Sequence, residues 1–398
     1  MAATTRELQA ATEEVVRATS KALEEPSWML DDRLAALARY RALPVESSKL
    51  FTRHIEPARG LELLEPRDAR PKLSGPSGRA TFQALDARGK LPAGLDAVAR
   101  NDLPGFALDK FSNLPRALFT GGSALHVQRD ATFVEPFVAR YEAQPGAAFA
   151  RTLVALDAGA RATLLVEVAG HAGAPGALGL SLEVLLGEGA QLHLLGVGTA
   201  AGEHTTLLTT QARTGDDATL DAHFAHTGGA LTRARTDILL HGRGSRVRFG
   251  EVVFGRAKQR FDLTTNIVHH GVETTSDALS KAALKDAARA NLKGVITLLQ
   301  EGKDSDSYLQ QHAMLLSKEA RCIAIPSLEI VNREIKRAKH AATVAQVSED
   351  QIYYLQTRGL SEDEARKTIV LGFLGPLLDR LGEARAEALR SQIEATWA

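Results

Sequence analysis

The feature that most constrains this chain is a turn that keeps returning. Asp157-Ala158-Gly159-Ala160, Gly187-Glu188-Gly189-Ala190, Gly215-Asp216-Asp217-Ala218 and Gly242-Arg243-Gly244-Ser245 recur roughly every 27 to 30 residues. Between them lie β-type runs such as ARTLVALDAGARATLLVEVAG and LSLEVLLGEGAQLHLLGVG. Apolar and polar residues often alternate, as in Thr219-Leu220-Asp221-Ala222-His223-Phe224, the period of a strand. Helical periodicity is absent from about residue 115 to Val347. A strand–turn unit repeated without helices leaves a sandwich, a barrel, a propeller or a β-solenoid. A propeller blade takes roughly 40 to 50 residues, and no six-residue signature is present. Small residues at the turns and a persistent, slightly irregular period favour the solenoid, in which coils stack and aliphatic side chains form continuous inner columns.

Composition agrees. The 398 residues suit one large domain with appendages, or two to three domains. Hydrophobic residues make up 44% and aromatics only 5%, so the core must be aliphatic; 33 glycines suit many tight turns. A net charge of +0 argues against a nucleic-acid binder, which needs a basic surface. Cys322 is the single cysteine, which excludes a disulfide or a Cys-rich metal site within one chain and points to a reducing, cytoplasmic setting. No apolar run approaches the roughly 20 residues that cross a bilayer. The first residues, MAATTRELQAATEEVV, lack the apolar core of a signal peptide and read as an amphipathic helix.

The ends of the chain differ from its middle. Trp28, Met29, Leu30, Leu34, Leu37 and Tyr40 recur at three- and four-residue spacing, with Pro26 near the start and Leu43-Pro44 at the end, so residues 1 to about 45 are expected to be helical. Residues 45 to about 105 scatter Pro and Gly among short segments and read as mostly irregular with brief helices. After Val347 helix returns. Ser348 with Gln351 and Ser361 with Glu364 make two N-terminal caps, and Gly359 offers a left-handed stop between them. Pro376 is expected to kink or end the second helix, and a third runs from about Glu383 to Trp397. The expected division is residues 1–105, helical with an irregular linker; 106–347, the β-solenoid; and 348–398, helical.

Several residues could carry chemistry. His340 interrupts the small-residue strand RAKHAATVAQ. A lone strand histidine is more often structural than a ligand. Cys322 is either a thiolate ligand or a buried small hydrophobe, and Ile323, Ala324 and Ile325 favour burial. His269 and His270 are adjacent, so in a strand they face opposite ways. His312 reads as part of a hydrogen-bonding column, and Asp304 and Asp306 as a solvated turn. No G-x-x-x-x-G-K-[ST] loop is present, so the chain is not expected to hydrolyse ATP.

The segment KHAATVAQVSEDQIYYLQTRGLSEDEARKTIVLGFL resembles the C-terminal signature of the SufB/SufD family of iron–sulfur cluster assembly proteins. HHGVETTSD, ARANLKGVI, SDSYLQQHAMLLSKEAR and IPSLEI follow that family's order and spacing. SNLPRALFTGGSALHVQRDATFVEPF looks like the opening of its β-helix, and EPSWMLDDRLAALARYRALP like its N-terminal Trp-Met helix. The resemblance implies a mainly β protein: a right-handed parallel β-helix flanked by N- and C-terminal helical domains. It implies that His340 lies where two β-helices meet and offers a metal ligand or proton-handling group there, with Cys322 a second candidate. It implies a surface that docks the ABC-type ATPase SufC, drawn here from Tyr354, Arg358, Gly359, Glu364, Arg366 and Phe373. A transient cluster or iron at a dimer interface, and reduced flavin at the level of the complex, are the cofactors implied.

SufB-type chains carry a Cys that alignment on Pro326 places near Ala320, and a Glu after the His, where this chain has Ala341. Both departures make the chain resemble SufD more. The expected function is a non-catalytic scaffold subunit that pairs with SufB, or with itself as a homodimer. The alternatives are a SufB-like subunit, a secreted carbohydrate-active β-helix enzyme, and a purely structural oligomerising module. Few aromatics, no acidic cluster in the solenoid and no export signal argue against the enzyme.

Overall fold

The computed structural model describes residues 8–397 apart from 57, 59, 86–90, 92–93, 101–108 and 171–172. The proposed amphipathic helix at the N-terminus begins, among these residues, only at Glu13; residues 1–7 of that segment lie outside them.

From Gly121 onward, successive strands alternate between two sheets. One runs from Gly121–Val127 to Arg321–Ile330, the other from Phe137–Glu142 to Arg337–Gln346. Each coil gives one strand to each sheet, and about eight coils stack with every rung parallel. This is a parallel β-solenoid. Arg161 pairs with Gln191 and Gln191 with Thr219, which sets a repeat of about 28 to 30 residues.

The recurring turns are the corners of these coils, and they share one device. Gly159, Gly189, Asp217, Gly244, Glu273 and Asp304 all sit in the left-handed region, with φ of 70, 63, 51, 66, 61 and 54°. Each donates its backbone N–H to the next coil: Gly189 to Asp216 O at 2.7 Å, Asp217 to Arg243 O at 2.7 Å, Gly244 to Val272 O at 2.9 Å. Glycine adopts that conformation without cost, and Asp tolerates it better than most residues. Space matters too, since a Cβ on Gly244 would lie 2.4 Å from Asp217 Oδ1.

Inside, register lines the same position of every coil into a column. Phe137, Leu164, Leu194, Ala222, Phe249, Ala278 and Leu309 are neighbours in turn, and all are buried. Burying such side chains stabilises the fold by about 1.5–3 kcal/mol each, and no partner domain is needed to form this core.

Helices cover the two outer faces. Glu13–Ala22 and Ser27–Ala42 pack through Val16, Leu37 and Tyr40 on Ala147, Phe149 and Ala177 of the first sheet. Glu362–Leu378 and Glu383–Ala395 pack through Val370, Leu374, Leu377 and Ile393 on Leu165, Leu195 and Val252 of the second. Pro376 lies inside the former helix, which ends two residues later at Leu378. The stretch that reads as mostly irregular contains short strands. Ala80–Ala84 and Lys72–Ser74 pair antiparallel with the first strands of the two sheets, and Pro66–Arg67 joins Gly146–Leu156. Such strands have little intrinsic propensity; the solenoid's exposed starting edge templates them.

Candidate functional site

The other end of the solenoid is open. Nothing among the described residues pairs with the outer edges of Arg321–Ile330 and Arg337–Gln346, so both present unpaired backbone groups. Large apolar side chains are exposed on and between these strands: Ile323, Ile330, Val331 and Val344.

His340 is the register partner of Leu309 and therefore the last member of the inner column. Seven apolar residues are followed by an imidazole where the stack ends. Its Nδ1 lies 2.8 Å from the carbonyl oxygen of Pro326 on the opposite strand. A carbonyl can only accept, so Nδ1 carries a proton, and in the neutral ring the lone pair is then on Nε2. The side chain is exposed, and the ring is thus held in the tautomer of a metal ligand.

Cys322 also faces inward, as the register partner of Ala290. It packs against an alanine-rich part of the core, and burial pushes its thiol up to about 12. It is a protonated, half-covered thiol as it stands. Cys322 precedes Pro326 by four residues, about 13 Å along a strand. The two candidates share the open end but not one coordination sphere.

The remaining sequence candidates sort by position. His269 is buried in the interior with its nitrogens 2.7 Å from Thr274 Oγ1 and 2.8 Å from Ser276 Oγ; burial lowers its pKa to about 4. His270 faces the other way and packs on His241 with ring centroids 4.7 Å apart. His312 lies on the outer face between Lys281 and Thr343, its pKa lowered by burial and then by Lys281. Asp304 is a corner residue, and Asp306 accepts from Arg337 Nε at 2.7 Å.

On the C-terminal helices, Ser348 caps Glu349–Gln356 by accepting from Gln351 N–H, and Gly359 has φ 96°. Tyr353 and Tyr354 on that helix are 70% and 57% exposed, large aromatic surfaces for a lone helix to show. Arg358 lies over the Tyr354 ring, 5.2 Å from its centroid. The other docking candidates have internal contacts. Glu364 closes the capping box with Ser361, and hydrogen bonds from Ser361 lower its pKa. Arg366 pairs with Glu362 at 3.0 Å and Glu349 at 3.2 Å. Phe373 receives Lys281, whose Nζ donates to its carbonyl at 2.7 Å and lies 4.8 Å from its ring centroid.

Sequence reading passed over one group. His193, Asp221 and His223 bring ligand atoms within 4.8 Å of one another on the outer face of the second sheet. The signal was present: D-A-H places two ligands on one face of a strand, and L-H-L stands one coil earlier in the same register.

Comparison with known proteins identifies the family. The sequence model of the family described as SUF system FeS cluster assembly, SufBD core domain, matches residues 138–373. An iron–sulfur cluster assembly SufBD family protein of Staphylococcus saprophyticus is 25% identical over 93% of this chain and 89% of its own length. One from Staphylococcus aureus is 24% identical over the same shares. With a parallel solenoid, helices on both faces and a family match across most of the coils, this chain belongs to the SufBD family of iron–sulfur cluster assembly proteins.

Proposed function

We propose that this chain is a SufD-like scaffold subunit that performs no catalysis of its own and helps assemble nascent iron–sulfur clusters. The observation that carries the reading is the inner column that ends in His340 at an open, strand-edged mouth. A neutral imidazole is a borderline ligand for Fe²⁺ and releases it more readily than a thiolate cage. The cluster is cargo. One histidine cannot hold it, so the remaining ligands come from a partner seated on the two free edges: a SufB-type paralogue, or a second copy of this chain. Tyr353, Tyr354 and Arg358 supply an exposed surface for a SufC-type ATPase. Any reduced flavin belongs to the complex. No described helix is long and apolar enough to cross a membrane, and a chain with one thiol is suited to the cytoplasm.

The test uses the chain co-purified with its SufB- and SufC-type partners. His340→Ala is expected to leave the complex intact and lower bound iron severalfold; unchanged iron refutes the role. Cys322 lies on the same coil, two residues from the place of the SufB-type Cys, and so tests the SufB-like alternative. Cys322→Ser is expected to leave iron unchanged, because burial raises the thiol's pKa and it lies away from His340 along the strand; loss of iron instead favours that reading.

A further inference from the structure

Away from the mouth, the parallel ladder assembles a second set of ligands. His193 and Asp221 are direct register partners on neighbouring strands, and His223 lies two residues beyond Asp221 on the same face. Strand spacing of about 4.8 Å and an i, i+2 repeat of about 6.6 Å bring the three side chains together. His223 Nε2 lies 2.5 Å from Asp221 Oδ1, and the two imidazole centroids are 5.7 Å apart.

His223 is the informative member. It is 2% exposed; its Nδ1 has no hydrogen-bond partner, and its Nε2 has only the close contact with Asp221 Oδ1. Leaving a buried polar atom unsatisfied costs about 1–3 kcal/mol. The Nδ1 side is closed: a Cβ on Gly250 would lie 2.4 Å from Nδ1 and 3.0 Å from Leu377 Cδ2. Nε2 points to Asp221. Beside them a cleft of about 360 Å³ opens to solvent, lined by Arg161, Thr163, Gln191, His193, Asp221 and Arg248. His193 is half-buried and lines that cleft.

We propose that His193, Asp221 and His223 bind a divalent first-row transition-metal ion of the Zn²⁺ or Fe²⁺ type, with the cleft supplying its open coordination position. Two imidazoles and one carboxylate are a borderline donor set suited to these ions, and an all-oxygen site would be needed for Mg²⁺. Three protein ligands plus a solvent position are the usual arrangement of an open site.

Arg248 is the competitor. It pairs with Asp221, with Nε 3.0 Å from Oδ1. Its side chain is 56% exposed, so it can leave for water when the ion arrives. Metal affinity is therefore expected to rise when this cation is removed, which no purely structural role for the three ligands predicts.

The assay is independent of the proposed scaffold role. Full-length chain carrying His340→Ala and Cys322→Ser, freed of metal and kept anaerobic, is titrated with Zn²⁺ alone, Fe²⁺ alone and Mg²⁺ alone. One equivalent of Zn²⁺ or Fe²⁺ is expected to bind and raise Tm. His193→Gln and Asp221→Asn are expected to weaken binding at least tenfold and abolish the Tm shift, while Arg248→Gln tightens it severalfold. The site is overturned if no equivalent binds, if His193→Gln binds like its parent, or if Mg²⁺ competes equally. His193 is half exposed, so that variant decides the matter should Asp221→Asn fail to fold.

Discussion

Replacing Glu183 by Gln should cost this protein about 3–5 kcal/mol, far more than its one-atom change suggests. Where the N-terminal helices meet the first sheet, three carboxylates face three guanidinium groups. Arg33 pairs with Glu25 at 2.6 Å, Arg116 with Asp32 at 2.8 Å and Arg151 with Glu183 at 2.7 Å. The Arg151 and Glu183 side chains are 1% and 0% exposed. Burial alone would raise the pKa of Glu183, but Arg151 and Arg116 hold it below the ordinary value. Gln fills the same space and removes one negative charge, leaving Arg151 buried in a network with excess positive charge. The double variant Arg151→Met/Glu183→Leu removes the pair, restores the balance and should recover most of the loss. Urea unfolding with an unchanged m value measures both. The pH dependence has a fixed sign. A carboxylate with a depressed folded-state pKa contributes stability above its unfolded value, and that contribution disappears as pH falls through the folded one. Glu183→Gln should therefore flatten the acid limb. A single variant within about 1 kcal/mol of its parent, or a double variant as unstable as the single, refutes the charge-balance reasoning.

His269 and His204 have pKa values lowered by burial to about 4, so unfolded chains take up protons that folded ones refuse. Stability should fall by about 3 kcal/mol per imidazole between pH 6.5 and 4, and His269→Gln should remove one such slope in denaturant titrations run across that window. Phe249→Ala, at a fully buried rung of the inner column, should destabilise by about 3–5 kcal/mol in urea. Val344→Lys puts a charge on the exposed last strand; size-exclusion chromatography with light scattering should show loss of pairing, with Tm unchanged. Arg358→Glu with Tyr354→Ala should reduce co-purification of the ATPase subunit without affecting pairing at the mouth.

What could be read from the sequence was whatever is local. The corner turns repeat because a left-handed residue is needed at each, so Gly159, Gly189 and Gly244 announce themselves. Ser361 and Glu364 lie three residues apart and form their capping box within one helical turn. Long-range features were hidden. Arg116 and Asp32 are separated by 84 residues and Arg151 and Glu183 by 32, so nothing nearby in the chain marks them as partners. The strands within 66–84 exist only because the first coils offer an edge. Cys322 and His340 are close to one another in sequence and both lie on the last coil, yet strand geometry keeps them apart. His193 needed the coil length to within one residue before it could be set beside Asp221.

The uniform corners make length in this architecture a matter of whole storeys. Cutting out residues 191–218 would bring Thr219 to the place Gln191 holds, with the same handedness at the bend and the same inward set. Each removal or insertion moves one end relative to the other by about 4.8 Å while leaving both ends chemically intact. A lineage could thus tune the span between the starting edge and the mouth in fixed increments, provided the helices that lie across the coils, as at Leu165, Leu195 and Val252, re-seat with each step.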